Sequence, residues 1–254
     1  MGMDGFGLGD ERLRELYRRI PGPVAFIDES IREPNNAYGE RPFYAMSGVI
    51  VDSEQGSIVR DVLMDIPGSR WWHTTDAYKT PSGRRLIRQM IGYLGEAVEY
   101  NIVTVQADIR RDDPTMERAR QECLTALAAE LTRGTGRNAV RLLVLEQRKK
   151  EYYPGGDQRD AATIRALRHA GALDRAVTAY HASPTYEPLL WAPDLAGWAL
   201  RRRAAVDDGT WFSPLEDITT VLRVDGADPA VKRSNPHLPQ QGPGVQPAVG
   251  LAGG

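Results

Sequence analysis

Three acidic residues in this chain are attached to strongly apolar segments. Asp28 closes the run Val24-Ala25-Phe26-Ile27, Glu146 closes Leu142-Leu143-Val144-Leu145, and Asp194 lies inside Leu189-Leu190-Trp191-Ala192-Pro193-Asp194-Leu195. Segments of this composition belong in a protein interior, where an isolated carboxylate either shifts its pKa or recruits a cation. Two arrangements are open: each carboxylate caps a helix or meets an arginine separately, or the three converge. Convergence implies a metal ion or a set of arginines. An all-oxygen donor set suits Mg2+ or Mn2+; magnesium takes one or two carboxylates and keeps several waters beside a substrate phosphate.

Other groups able to take part stand nearby in sequence. Glu29 follows Asp28 directly, but successive side chains of a regular strand point to opposite faces, so it is a weaker candidate for the same site. His73 precedes Asp76 by three residues in a segment that also holds Trp71 and Trp72. The imidazole either positions a water or a phosphate, or is an ordinary loop histidine. The tryptophans either stack on nucleobases or divide into one core and one rim residue. Arg148, Lys149 and Lys150 follow Glu146 and either contact phosphate at the rim of a site or form a solvated basic turn. Glu187, which follows His181 and Tyr186 in a proline-containing stretch, is a further candidate ligand.

Elements that would position these groups can be read from the apolar spacing. Val24 to Ile27 has the composition of a buried central strand, ending at Asp28-Glu29-Ser30. Phe43 to Val51 reads as a second strand, and Asp52 or Ser53 caps a helix running to about Asp65. Ser82 caps a helix whose Leu86, Ile87, Met90, Ile91 and Leu94 form one stripe. Asn101 to Ala107 is a strand. A helix starting at Asp113 faces Met116, Cys123, Leu124, Leu127 and Leu131 inward, and a strand from Val140 leads to Glu146. A helix around Ala161 to His169, a strand near Ala176 to Tyr180, a helix around Leu195 to Arg203 and a strand near Ile218 to Val224 follow. Strands and helices alternate, so the class is α/β. Ahead of this domain (23–225), residues 1–22 carry a docking helix: Asp10 caps it, Leu13, Leu16, Tyr17 and Ile20 share a face, and Pro21-Gly22-Pro23 ends it. Behind it, 226–254 contain five prolines, six glycines and no aromatic residue, which predicts a disordered tail.

Composition excludes several classes. With 254 residues, 41% hydrophobic and 26% charged, the chain can bury a core and is neither collagen-like nor disordered throughout. A formal charge of −2 argues against coating nucleic acid by bulk charge. The single cysteine, Cys123, excludes a disulfide framework and a multi-thiolate zinc site and is expected to be a buried helix residue. Neither a Walker A sequence nor G-x-G-x-x-G follows an expected strand, so a P-loop hydrolase and a Rossmann dehydrogenase are disfavoured. No run of eighteen apolar residues occurs and the first residues lack the pattern of a secretory signal, so no membrane partner and a cytoplasmic location are expected.

Phe26-Ile27-Asp28-Glu29-Ser30, the second strand with Ser47-Gly48-Val49-Ile50-Val51, a histidine-containing segment, and Leu189 to Gly197 late in the chain occur in the order seen in one family. In that order and spacing the chain resembles the domain-of-unknown-function 3800 family, over roughly Val24 to Arg203. Arg120, Cys123-Leu124 and Leu145-Glu146-Gln147-Arg148 are similar to an actinobacterial branch of it. The resemblance implies an RNase H-like mixed sheet flanked by helices. It also implies a divalent-metal-dependent phosphodiesterase or nuclease in which Asp28, Glu146 and Asp194 hold Mg2+ or Mn2+ and His73 and Arg148 assist; Glu29, Asp76 and Glu187 are secondary candidates. Departures from the family pattern are Ile31 in place of glycine, Trp191 and Pro193 in place of glutamine and alanine, and Asp76 in place of glutamate. These leave open an alternative from another class: a non-catalytic module that binds nucleic acid or a protein partner, in the phage-defence or mobile-element setting the resemblance suggests. Hydrolysis of a small phosphoester or a sugar also stays open.

Overall fold

A computed structural model of the chain describes residues 10–34, 39–96, 101–107, 109, 112–134, 139–225 and 228–233. The strands are β1 (Val24–Arg32), β2 (Phe43–Val51), β3 (Asn101–Ala107), β4 (Leu142–Glu146), β5 (Thr178–Ala182), β6 (Thr219–Asp225) and β7 (Asp228–Arg233). They form one mixed sheet in the order β5-β4-β1-β2-β3-β6-β7. β1, β2 and β3 run as an antiparallel meander. β4 lies parallel to β1, β5 parallel to β4, and β6 parallel to β3. Parallel neighbours need long crossovers; helices α5 (Glu117–Leu131) and α6 (Gly156–His169) lie in the two that lead into β4 and β5. This α/β arrangement is consistent with an RNase H-like fold.

Helices cover both faces. On one lie α1 (Glu11–Arg19), α2 (Gly56–Asp65), α4 (Pro81–Glu96) and α7 (Trp191–Val206), with the single turn α3 (Thr74–Ala77) leading into α4. Their Leu13, Leu63, Ile87, Met90 and Leu195 form one core with Val24 and Phe26 of β1. On the other face α5 and α6 bring Cys123, Leu124, Leu127 and Ile164 against Ala25 and Ile27. Cys123 is buried there, donating to the Val105 carbonyl at 3.3 Å, and burial holds its thiol well above the usual range. Asp10 caps α1 as expected, accepting from the Leu13 amide at 3.0 Å.

Helix α2 starts at Gly56 without the expected cap from Asp52 or Ser53, α4 at Pro81 ahead of Ser82, α5 at Glu117 and α6 at Gly156; three further differences have a backbone reason. β1 does not stop at Asp28-Glu29-Ser30: β2 pairs with it as far as Arg32↔Phe43, so these polar residues continue the strand. Helix α7 begins at Trp191 rather than near Leu195, which moves Asp194 from just ahead of the helix into its first turn. The expected disordered tail instead starts as a strand, since β7 pairs antiparallel with β6 and so satisfies an edge that β6 would otherwise present; residues 226–227 and 234–254 lie outside the described residues. Among the described residues no helix is long and apolar enough to cross a membrane.

Candidate functional site

The side-chain period of two places the first two carboxylates. In β1, Val24 and Phe26 face the core under α7, and Asp28 continues that row. In β4, Leu142 and Val144 face the same core, and Glu146 continues theirs. Pairing between the two strands ends at Ile27↔Leu145, so both carboxylates stand one residue beyond the last rung, where the sheet opens. Helix α7 brings the third. Its Gly197 lies so close to the sheet that a Cβ there would sit 3.2 Å from Ser30 Cβ and from Ser47 Oγ, and Asp194 one turn earlier is carried to the same opening.

All three carboxylates are half-buried and line one cleft of about 400 Å³. Burial and the nearby charges of Glu146 and Asp194 push the Asp28 carboxyl well above the usual carboxylate range. Burial and the charge of Asp194 push Glu146 up to about 7, partly relieved by a hydrogen bond with Asp28. Burial also raises Asp194, against the opposing pull of His73 and of two bonds from Thr74. Those bonds are well formed: the Thr74 amide donates to Asp194 Oδ2 at 3.0 Å and its hydroxyl at 2.8 Å. Among the described residues no arginine or lysine forms an ion pair with any of the three, and no three His, Cys, Asp or Glu side chains meet as a compact metal-holding group. The cleft therefore gathers three crowded carboxyls, none of them in a direct ion pair with an arginine or lysine among the described residues, without drawing them into a closed ligand shell. Oxygen donors of this kind fit a divalent ion that keeps part of its water.

Glu29 shows the contrast. It faces the opposite side of β1, where Tyr44 donates to it at 2.6 Å and Arg120 is paired with it. Arg120 in turn bonds Asp160 through Nε at 2.8 Å and Nη2 at 2.6 Å, and His181 Nε2 stands 3.1 Å from Asp160. Those bonds hold the Asp160 carboxyl down to about 2 despite its burial. Arg148 belongs to this wall. Its Nη1 donates to Glu117 at 2.7 Å, and its guanidinium carbon lies 3.9 Å from the Tyr153 ring centre. It borders the cleft, but it is buried and its contacts are those of a positioning residue.

His73 and Asp76 sit at the mouth, with His73 Nδ1 2.8 Å from Asp76 Oδ2 and Lys79 Nζ 2.6 Å from Asp76 Oδ1. Both contacts hold Asp76 below the usual range. With Nδ1 occupied, Nε2 is the ring nitrogen that can exchange a proton. The adjacent tryptophans divide: Trp72 is buried with its Nε1 donating to Thr74 at 2.9 Å, while Trp71 is exposed. Glu187 does not join the cleft. Arg60 holds both its oxygens at 2.9 Å, and Tyr17 and the Leu189 amide add bonds at 2.6 and 3.1 Å, so the candidate ligand is instead a buried tether between α1, α2 and the turn before α7.

Sequence reading missed Thr74, Asp160 and Arg60. Only Thr74 had a signal, its place directly after the candidate histidine. The fold and the acidic cleft at the end of the β1–β4 seam define the class: an α/β protein with a carboxylate-lined cleft. No protein-family model matches the chain, and comparison with curated proteins and with solved structures gives no match.

Proposed function

We propose that the chain is a divalent-metal-dependent phosphodiesterase acting on nucleic acid, with Asp28, Glu146 and Asp194 holding Mg2+ or Mn2+. One observation carries this reading: three desolvated carboxyls share a cleft with no cation paired to any of them, while Glu29 next door is neutralised by arginine. A bound divalent ion would supply the missing charge, a water ionised near neutral pH and stabilisation of the departing oxygen.

The chain's own residues have the remaining work. Thr74 fixes one oxygen of Asp194 and leaves the other for the cleft. Arg120 and Tyr44 hold Glu29 and with it the strand next to Asp28. His73, oriented by Asp76, is placed to hand a proton to the leaving oxygen as the phosphorus–oxygen bond breaks and water adds to phosphorus.

Thermal unfolding with and without Mn2+ or Mg2+ tests the reading. Metal at a hundred times its dissociation constant adds about 2.7 kcal/mol, roughly 5–10 °C for a chain of this size. The rise should vanish in Asp28→Asn and Asp194→Asn, and metal-dependent cleavage of oligonucleotides should vanish with it. A wild-type protein indifferent to both metals would overturn the proposal and leave the binding-module reading.

A further inference from the structure

Few large hydrophobic side chains are left in solvent. Among the described residues they are Ile58, Trp71, Tyr152 and Tyr186, and two of these four, Trp71 at 55% and Tyr152 at 72% exposure, line the carboxylate cleft. They border it from different elements. Trp71 comes from the segment that leads into α3, its ring centre 6.3 Å from that of His73, and so stands on the Asp194 side. Tyr152 comes from the turn after β4 and so stands on the Glu146 side, with the exposed Lys149 three residues before it. At another part of the wall Arg201, two helical turns beyond Asp194, is buried with Arg32 beside it, and both guanidinium groups converge on Glu40 Oε2. Burial and the neighbouring Arg32 charge lower the Arg201 pKa to about 10, as expected of a cation desolvated next to another.

Exposed aromatic rings do nothing for the fold, and a flat aromatic face beside cationic groups is what a nucleobase and its phosphate need. A duplex does not offer that face, because its bases already stack on each other. A cleft of about 400 Å³ is also the size of a small-molecule pocket and admits a nucleotide or two, not a helix. We infer that the substrate is single-stranded nucleic acid, seated with unpaired bases against Trp71 and Tyr152 and its phosphates toward Lys149 and the Arg32–Arg201 pair. This rests on the proposed function for the chemistry but not for the binding.

Trp71 provides its own readout, since the other four tryptophans, Trp72, Trp191, Trp198 and Trp211, are all buried. In EDTA, where no cleavage occurs, short homothymidine and homouridine strands should quench the intrinsic fluorescence, and the same length of duplex should not. Trp71→Leu should remove most of the quenching, since Trp72, Trp191 and Trp198 reach the cleft only with buried rings. By anisotropy of a labelled strand, Trp71→Leu and Tyr152→Leu should each weaken binding by roughly five-fold to a hundred-fold, the range for one lost stack, with an unchanged unfolding midpoint because both sites are exposed. The preferred homopolymer identifies the strand as DNA or RNA. Duplex binding as tight as single-strand binding, or variants that bind like wild type, would overturn the inference. Strand binding is read in EDTA and stabilisation by Mn2+ is read without a strand, both on the wild-type protein, so failure of the metal reading and failure of this one are told apart.

Discussion

Asp28 and Glu29 are adjacent in sequence and face opposite environments, and the difference comes from the strand's alternation alone. Glu29 falls on the side where α5 supplies Arg120, β2 supplies Tyr44 and the turn after β4 supplies, 3.7 Å away, Arg148. Asp28 falls on the side where its neighbours are Glu146 and Asp194. Removing charge therefore has opposite consequences at the two positions. Asp28→Asn relieves like-charge crowding and should raise the metal-free unfolding midpoint by about 2–4 °C, the equivalent of about 1 kcal/mol, while abolishing any rise with Mn2+. A lowered midpoint would show that the Asp28–Glu146 hydrogen bond outweighs the repulsion. Arg120→Met leaves the buried Asp160 and the half-buried Glu29 each with a partner missing and should cost about 3–5 kcal/mol, read as a fall in the denaturation midpoint with urea. A loss under 1 kcal/mol would mean that water replaces the guanidinium.

At the scale of elements, what could be read from the sequence was whatever a local pattern determines. The span of β2, the cap of α1 and the stripe of α4 follow from alternation, from Asp10 and from the Leu86 to Leu94 spacing. Asp28, Glu146 and Asp194 were found because a charge ending an apolar run is conspicuous in any fold. What stayed hidden depended on partners distant in sequence. The extension of β1 to Arg32 is enforced by β2, the burial of Glu187 by Arg60 from α2, and the start of α7 at Trp191 by the 3-10 turn Pro188–Leu190 that precedes it. Gly197 belongs to this second kind. Its missing side chain lets α7 approach β1 and β2 closely enough to present Asp194, and no local pattern says so. Gly197→Val would drive a branched side chain against Ser30 and Ser47, so it should cost about 1–3 kcal/mol by overpacking and weaken metal-dependent stabilisation further by displacing Asp194. A variant with wild-type stability and metal response would show that the helix moves away without moving the carboxylate.

Across the whole molecule, the site is a seam between two differently built halves. The α7 side meets the cleft with three carboxyls that repel, its own buried arginines, Arg60 and Arg201, being paired elsewhere with Glu187 and Glu40. The α5–α6 side meets it with an ion network in which Arg120 joins Glu29 to Asp160, and His181 of β5 closes on Asp160. That network links β1, α5, α6 and β5, so its titration should be felt by the fold as a unit. Asp160 titrates at about 2 in the folded protein against an ordinary 3.8. Its ionised form therefore favours folding at every pH above the ordinary value, and the contribution fades as pH falls from about 4 to about 2. A difference of roughly 2 units is worth about 2–3 kcal/mol. Chemical denaturation across that acid range should show wild type losing stability faster than Asp160→Asn. The variant should start less stable at neutral pH, because Arg120 and His181 lose the Asp160 charge and Arg120 keeps only Glu29, and the two curves should approach each other near pH 2. Parallel curves over the whole range would mean that Asp160 is no better stabilised in the fold than in the unfolded chain, and that the acid sensitivity of this half of the molecule resides elsewhere.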